Sequence, residues 1–308
     1  MKQKIRFFIT ILLTVFSALS ADVDSGDYGS EKMEDISEQS SPFKIELRTD
    51  VFGPAKTTTK GYLHKKNLHY NESQADISAV CYHDPEYNEA VSVQLGYNIT
   101  QLYWKNIPTF DQKTFGNVQV GVGFFTERLC GWAWQVYTSL NMDNKYPGLN
   151  NYTTYDLLLW GKYTWREDIN VHVGFLGWTG LKIDKVLPIL GFDWTFWDKW
   201  QLNAIFPINA SLVYNFNDRL SATLAGRFLW NRHRIEKDAY LSEGIWEYRN
   251  TGLELGVNYL FRNSFMINAH AGYASGGYVN LSTKNYRHTK KYRFEGSPYA
   301  GGEASFSF

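Results

Sequence analysis

From Phe43 onward the chain alternates without a break. Phe43, Ile45, Leu47, Thr49 and Val51 share one face, and Lys44, Glu46, Arg48 and Asp50 share the other. A helix would spread these side chains around its circumference, so the period of two dictates an extended strand. Four charges on one face do not belong in a packed sandwich core. They need water, while the opposite face needs an apolar medium. A barrel wall in a bilayer meets both demands, because its outer face touches lipid and its inner face stays wet. Residues 299–308 repeat the pattern: Ala300, Gly302, Ala304, Phe306 and Phe308 stand opposite Glu303, Ser305 and Ser307. In water such a segment would be an open, aggregation-prone edge. As a closing strand it pairs with the first strand, and Phe308 is the expected signal for the barrel-assembly machinery.

The amino end reads as processing and not as fold. Lys2, Lys4 and Arg6 precede an apolar run from Phe7 to Phe16 and then small residues through Ala21. This is the layout of a secretory signal, expected over residues 1–20, and the run is too short for a spanning helix of about 20 residues. Residues 21–41 carry seven acids against the single base Lys32, which predicts an acidic, disordered periplasmic tail. Without those residues and the three bases of the signal, the totals of 31 and 31 become 27 basic and 24 acidic, so the folded part is slightly basic. Aromatic residues make up 17% of the chain, yet mean hydropathy is −0.37. An aromatic-rich chain that is polar on average suits strands that are half exposed to water. With only Cys81 and Cys130, no disulfide scaffold is expected; both fall near one rim, as free thiols or an intermolecular link.

The same rhythm continues along the chain. Alternating segments run through Ala75–Cys81, Val91–Ile99, Val118–Phe124, Trp132–Leu140, Tyr155–Tyr163 and Ile169–Phe175. They resume over Leu190–Phe196, Trp200–Phe206, Ala210–Phe216, Leu220–Trp230, Leu253–Tyr259 and Phe265–Tyr273. With the first and last segments, the expected fold is all-β: a transmembrane antiparallel up-and-down β-barrel of about 14 strands over 42–308, with 12 as the alternative. Short turns alternate with long polar connections such as Gly53–Glu72 and Arg232–Trp246. Pro207 marks the one tight connection expected on the long-loop side. Tyr97, Tyr103, Trp104, Trp165, Trp178, Trp200, Trp230 and Tyr259 lie near strand ends, as interfacial girdles would.

Inward positions are where chemistry would reside. Glu46, Arg48, Asp156, Lys162, Arg227, Glu254, His270 and Glu303 are the lumen-lining candidates, accompanied by Asp76, His172 and Asp193. They either set selectivity in a pore or pair across the lumen and stabilise a plugged barrel. The long loops carry Lys65, Lys66, Arg232, Arg234, Lys290, Lys291 and Arg293, candidates for binding anions such as lipopolysaccharide phosphates. No serine accompanies His172 or His270 in a nucleophile–base arrangement, so neither catalytic residues nor an enzyme is expected. No His, Cys, Asp or Glu pair shows ligand spacing, so no metal and no cofactor is expected. A face turned outside the cell excludes nucleic acid as a partner.

The run Val186–Phe228 adds a resemblance. Its Leu187-Pro188, the Asp198-Lys199-Trp200 turn, Phe206-Pro207 and the Asn217-Asp218 turn resemble the central part of an uncharacterised family of bacterial outer-membrane β-barrels. The resemblance implies the outer membrane of a gram-negative bacterium and transfers no site residue. Because about 14 strands enclose more room than the ~8 that side chains can fill, the expected function is a channel for small hydrophilic solutes. Surface binding through the basic loops is the alternative, and lipid modification a third.

Overall fold

The computed structural model describes residues 42–59, 65–104, 110–262 and 264–308. The expected signal (1–20) and acidic tail (21–41) lie outside them. The first strands are β1 (Phe43–Phe52), β2 (Ala55–Lys56), β3 (Asn67–Asp84), β4 (Glu89–Trp104), β5 (Thr114–Leu129) and β6 (Trp132–Asp143). Then come β7 (Thr154–Arg166), β8 (Ile169–Gly180), β9 (Ile183–Phe196), β10 (Trp200–Phe206) and β11 (Asn209–Asn217). The last are β12 (Leu220–Arg234), β13 (Ile245–Phe261), β14 (Phe265–Ser282), β15 (Lys290–Phe294) and β16 (Ser297–Ser307). Each pairs antiparallel with its chain neighbour except at two places: β2 is an appendage on β3, and β15 sits beside the upper part of β14. β1 closes the sheet, pairing with β16 from Lys44↔Ser307 to Phe52↔Tyr299 and with β3 from Phe43↔Ala79 to Val51↔Asn71. The result is a closed antiparallel barrel of 14 strands.

The distribution of side chains is inverted relative to a protein that folds in water. Leu47, Leu95 and Leu255 are 52, 54 and 60% exposed, whereas Asp50, Asp76 and Glu303 are 2, 6 and 6% exposed. Apolar faces turned outward with charged faces enclosed make a membrane-spanning wall. At the seam, Phe43 and Phe308 exchange backbone hydrogen bonds of 3.1 and 3.0 Å, and their rings stack at 5.6 Å.

One barrel end has only tight turns, between β3 and β4, β5 and β6, and so on; the other has most of the long connections. Several tight turns depend on left-handed backbone. Cys130 (φ 56°) and Gly131 (φ 74°) form one, and Trp197 (φ 52°) and Asp198 (φ 59°) another. Consecutive positive φ angles match the twist of the flanking strands. On the loop end, Pro207 is not the one tight connection: β8 and β9 are joined by Leu181 (φ 50°) and Lys182 (φ 62°) alone. The glycines and charges of 177–185 mimic a loop, yet they belong to two strands. β3 likewise starts at Asn67, inside the polar stretch expected to end at Glu72, and β12 and β13 take up Arg232–Arg234 and Ile245–Trp246. Both cysteines are exposed and free, Cys81 where β3 slips register against β4.

Two apolar clusters lie at the loop end, the larger of them in the interior. The larger joins Phe52, Leu68, Tyr70, Leu102, Trp104, Phe115, Leu229, Trp246, Tyr248, Val279 and Phe294. The smaller joins Leu158, Leu176, Trp178, Ile183, Ile189, Ile205, Ile208 and Trp230. Trp104, Trp178 and Trp230 are therefore buried and belong to no girdle, while Tyr97, Tyr103, Trp165 and Tyr259 are exposed as expected.

Candidate functional site

The wet face of β1 places Arg48 and Asp50 two residues apart on one side of the strand, as strand geometry requires. Asp50 is the hub of the interior. Its Oδ2 accepts from Arg48 Nε at 3.0 Å and from Arg227 Nη2 at 2.8 Å, and its Oδ1 lies 2.6 Å from His270 Nε2. Arg227 also donates to Glu254 at 3.2 Å, and Tyr299 Oη donates to the same carboxylate at 3.1 Å. Glu303 stands 4.0 Å from Arg48. β1 and β12 are separated in the wall by β16, β14 and β13, so the Asp50–Arg227 pair reaches across the lumen.

Asp50, Glu254 and His270 bring three potential ligand atoms within 4.8 Å, a convergence that sequence spacing does not reveal. Arg227 hydrogen-bonds both carboxylates and Arg48 one of them, so the cluster is arranged as an ion-pair lock.

Above the lock the opposite walls touch. Tyr70 of β3 stacks on Tyr248 of β13 at 4.0 Å and 3°, and Asn231 of β12 donates to Tyr70, Glu72 and Thr100 at 3.2, 3.1 and 2.9 Å. His233 meets Thr100 at 3.2 Å and lies between Phe115 and Trp246. His233 is therefore a buried core group and not part of a solvated basic loop. The expectation of an interior roomier than its side chains can fill fails on this side of the barrel.

The remaining candidates line the rest of the interior. Asp156 accepts from Ser139 and Asn141 at 3.0 and 2.6 Å, and Gln119, Tyr137 and Gln94 extend this network to Asp76. Glu46 pairs with Lys44 at 3.0 Å. Lys162 lies opposite His172 in register. Trp160 Nε1 can only donate, so His172 Nδ1 accepts it at 3.0 Å, and His172 Nε2 carries the proton shared with Asp193 at 2.8 Å.

The loop cations are placed differently from expectation. Lys65 and Lys66 stay at the loop end, in a turn. Lys290, Lys291 and Arg293 belong to β15, whose alternate residues Tyr292 and Phe294 pack inward. Arg232 is in β12, with its guanidinium 4.5 Å over the Trp230 ring. Arg234 is 4% exposed and donates to the carbonyls of Asn151 and Glu243 at 2.7 and 2.8 Å, so it fastens loops together and is no surface anion site. Among the loops, Lys284 holds the Glu243 carboxyl below its usual range from 2.8 Å, and burial pushes the Tyr286 hydroxyl up to about 12.

Residues 89–305 match the family described as a domain of unknown function, DUF6268. The chain belongs to that family. Uncharacterised proteins of Chlamydia muridarum and Chlamydia trachomatis are 29 and 27% identical over 199 residues. In both cases the match covers 64% of this chain and 63% of the relative, less than two thirds of its length. Among solved structures, an outer membrane channel of Pseudomonas putida F1 is similar with a TM-score of 0.48 at 10% identity, covering 93% of this chain and all of the other. The TodX monoaromatic hydrocarbon channel, as a deletion mutant, gives 0.44 at 11% identity, covering 89 and 92%.

Proposed function

We propose that this protein is an outer-membrane barrel that offers small hydrophilic solutes a narrow pathway, shut at rest. The observation that carries the reading is the polar lining of a closed wall: Glu46, Asp76, Gln119, Asp156, Lys162 and Glu303 turn inward behind an apolar exterior. Mixed charge sets a preference for sign and size and names no substrate. At the loop end the aromatic cluster around Trp246 forms a hydrophobic constriction, the kind that gates by excluding water. In a planar bilayer the protein should give rare, small conductance steps, and charge reversal at Arg48 or Glu254 should shift ion selectivity. Silence of the native protein and of a variant with the constriction removed would overturn the pathway.

The orientation is part of the proposal: the loop end faces outside. A tag inserted at Lys284–His288 or Lys237–Tyr240 should be reached by antibody on intact cells, and one at Pro85–Asn88 should not. The reverse pattern inverts the barrel.

A second reading is favoured by the contacts that cross the lumen. A filled interior suits a barrel that works from its surface, with Lys65, Lys66, Lys290, Lys291 and Arg293 presented to anionic glycans or lipopolysaccharide. Bilayer silence, with heparin binding lost when Lys290, Lys291 and Arg293 are neutralised, selects it. Lipid hydrolysis or acyl transfer by the purified protein would select an enzyme instead.

A further inference from the structure

The wall has a low point. β10 and β11 are 7 and 9 residues long, at or below the ~9–11 that cross a bilayer. Pairing of β9 with β10 stops at Leu190↔Phe206, and pairing of β11 with β12 stops at Ser211↔Ala225. Above the Pro207–Ile208 turn, residues 183–189 of β9 pair only with β8, and residues 226–234 of β12 pair only with β13. This leaves a break in the hydrogen-bonded wall, filled by the buried side chains of the smaller apolar cluster. The Trp178 and Trp230 rings span it, with centroids 4.9 Å apart.

The break is bordered by an array of cations. On the face of β12 to β15 turned away from the large aromatic cluster, Trp230, Arg249, Tyr278 and Arg293 stand side by side in register. The next row is Arg232, Glu247, Asn280 and Lys291. Arg232 and Arg249 lie 4.5 and 4.8 Å over the Trp230 ring, Lys185 reaches the same ring from β9 at 5.4 Å, and Lys291 covers Tyr278 at 3.6 Å. The one acid of the two rows, Glu247, is fully buried. It accepts from Trp230 Nε1, Arg249 Nε, Asn280 Nδ2 and Tyr286 Oη at 2.5, 2.7, 2.8 and 3.0 Å. Its charge is consumed in holding the platform, so Lys185, Arg232, Arg249, Lys291 and Arg293 outweigh it. Neighbouring Asp184 is on the opposite face of β9 and hydrogen-bonds Thr179.

We propose that this cation array beside the break holds the phosphate-bearing headgroup of an outer-leaflet lipid, with its acyl chains against the apolar outside of β10 and β11. Phosphate oxygens match guanidinium and ammonium donors set close together, and the aromatic rings keep those cations from collapsing onto one another. The proposal rests on the orientation given above. Glu247 is a positioning residue here, since it touches the cations and not the ligand.

The test is native mass spectrometry of the full chain in detergent with diphosphoryl lipid A as probe. Bound lipid A should survive on the native protein, and lipid A stripped of its phosphates should bind at least tenfold more weakly. Lys185→Gln with Lys291→Gln keeps Trp230, Arg249, Asn280 and Tyr286 as donors to Glu247, so the barrel should fold and lose at least tenfold in lipid A affinity. Arg232→Gln with Arg249→Gln should lose more. Equal binding of the phosphate-free lipid, or unchanged binding by both double variants, would overturn the site. Displacement of lipid A by millimolar inorganic phosphate would reassign it to a soluble anion. Lipid A binding kept, but with tags reached in the reverse pattern, would turn the array to the other leaflet and overturn the outer-leaflet assignment.

Discussion

Trp246→Ala should destabilise the barrel by about 3–5 kcal/mol, the usual cost of deleting a fully buried indole, and should also turn rare conductance into sustained conductance. Trp246 is fully buried, with its ring 4.9 Å from Phe115 and 5.1 Å from His233, so it bridges β13, β5 and β12 across the interior. Removing it leaves a void beside His233, which in turn meets Thr100 at 3.2 Å, and a void with hydrogen-bonding groups at its border fills with water where an apolar one stays dry. Water in the constriction ends its barrier to ions. Two measurements are needed: the urea midpoint of the heat-modifiable gel shift, and single-channel recording. A lowered midpoint with no change in conductance would keep the packing role and discard the gate.

The wall of this barrel was legible because its causes are local. Phe43 to Val51 alternate since neighbouring side chains of a strand face different media, and that rule needs no knowledge of the rest of the chain. It weakens above the apolar belt, where Ile245 and Trp246 lie on opposite faces of β13 and both are buried. There the sequence of 232–246 looks like a polar loop, although Arg232 and Arg234 continue β12. The turn at Leu181–Lys182 was hidden for a related reason: both residues adopt positive φ although neither is glycine or asparagine. The hub of the site was less legible still. Asp50 was visible as one inward acid among several, but its partners Arg227 and His270 are 177 and 220 residues away. Period and spacing say which way a side chain faces; only closure of the barrel says whom it meets.

Asp50→Asn should test that closure most directly, because it keeps the shape of the side chain and removes only its charge. In the native protein the carboxylate, 2% exposed, is shared by Arg48, Arg227 and His270. Asparagine leaves two guanidinium groups facing each other with too little counter-charge, and breaking a buried pair on one side costs about 3–5 kcal/mol. The urea midpoint should fall accordingly, and any conductance should shift toward anions because the lumen gains positive charge. Arg227→Gln alone should also destabilise but shift selectivity toward cations. The double variant Asp50→Asn with Arg227→Gln should recover part of the loss, since it removes both members of the cross-lumen pair; residues in contact show couplings of about 0.5–3 kcal/mol. Strict additivity of the two single variants would mean that the 2.8 Å contact contributes nothing and that the lumen is held shut by its aromatic cluster alone.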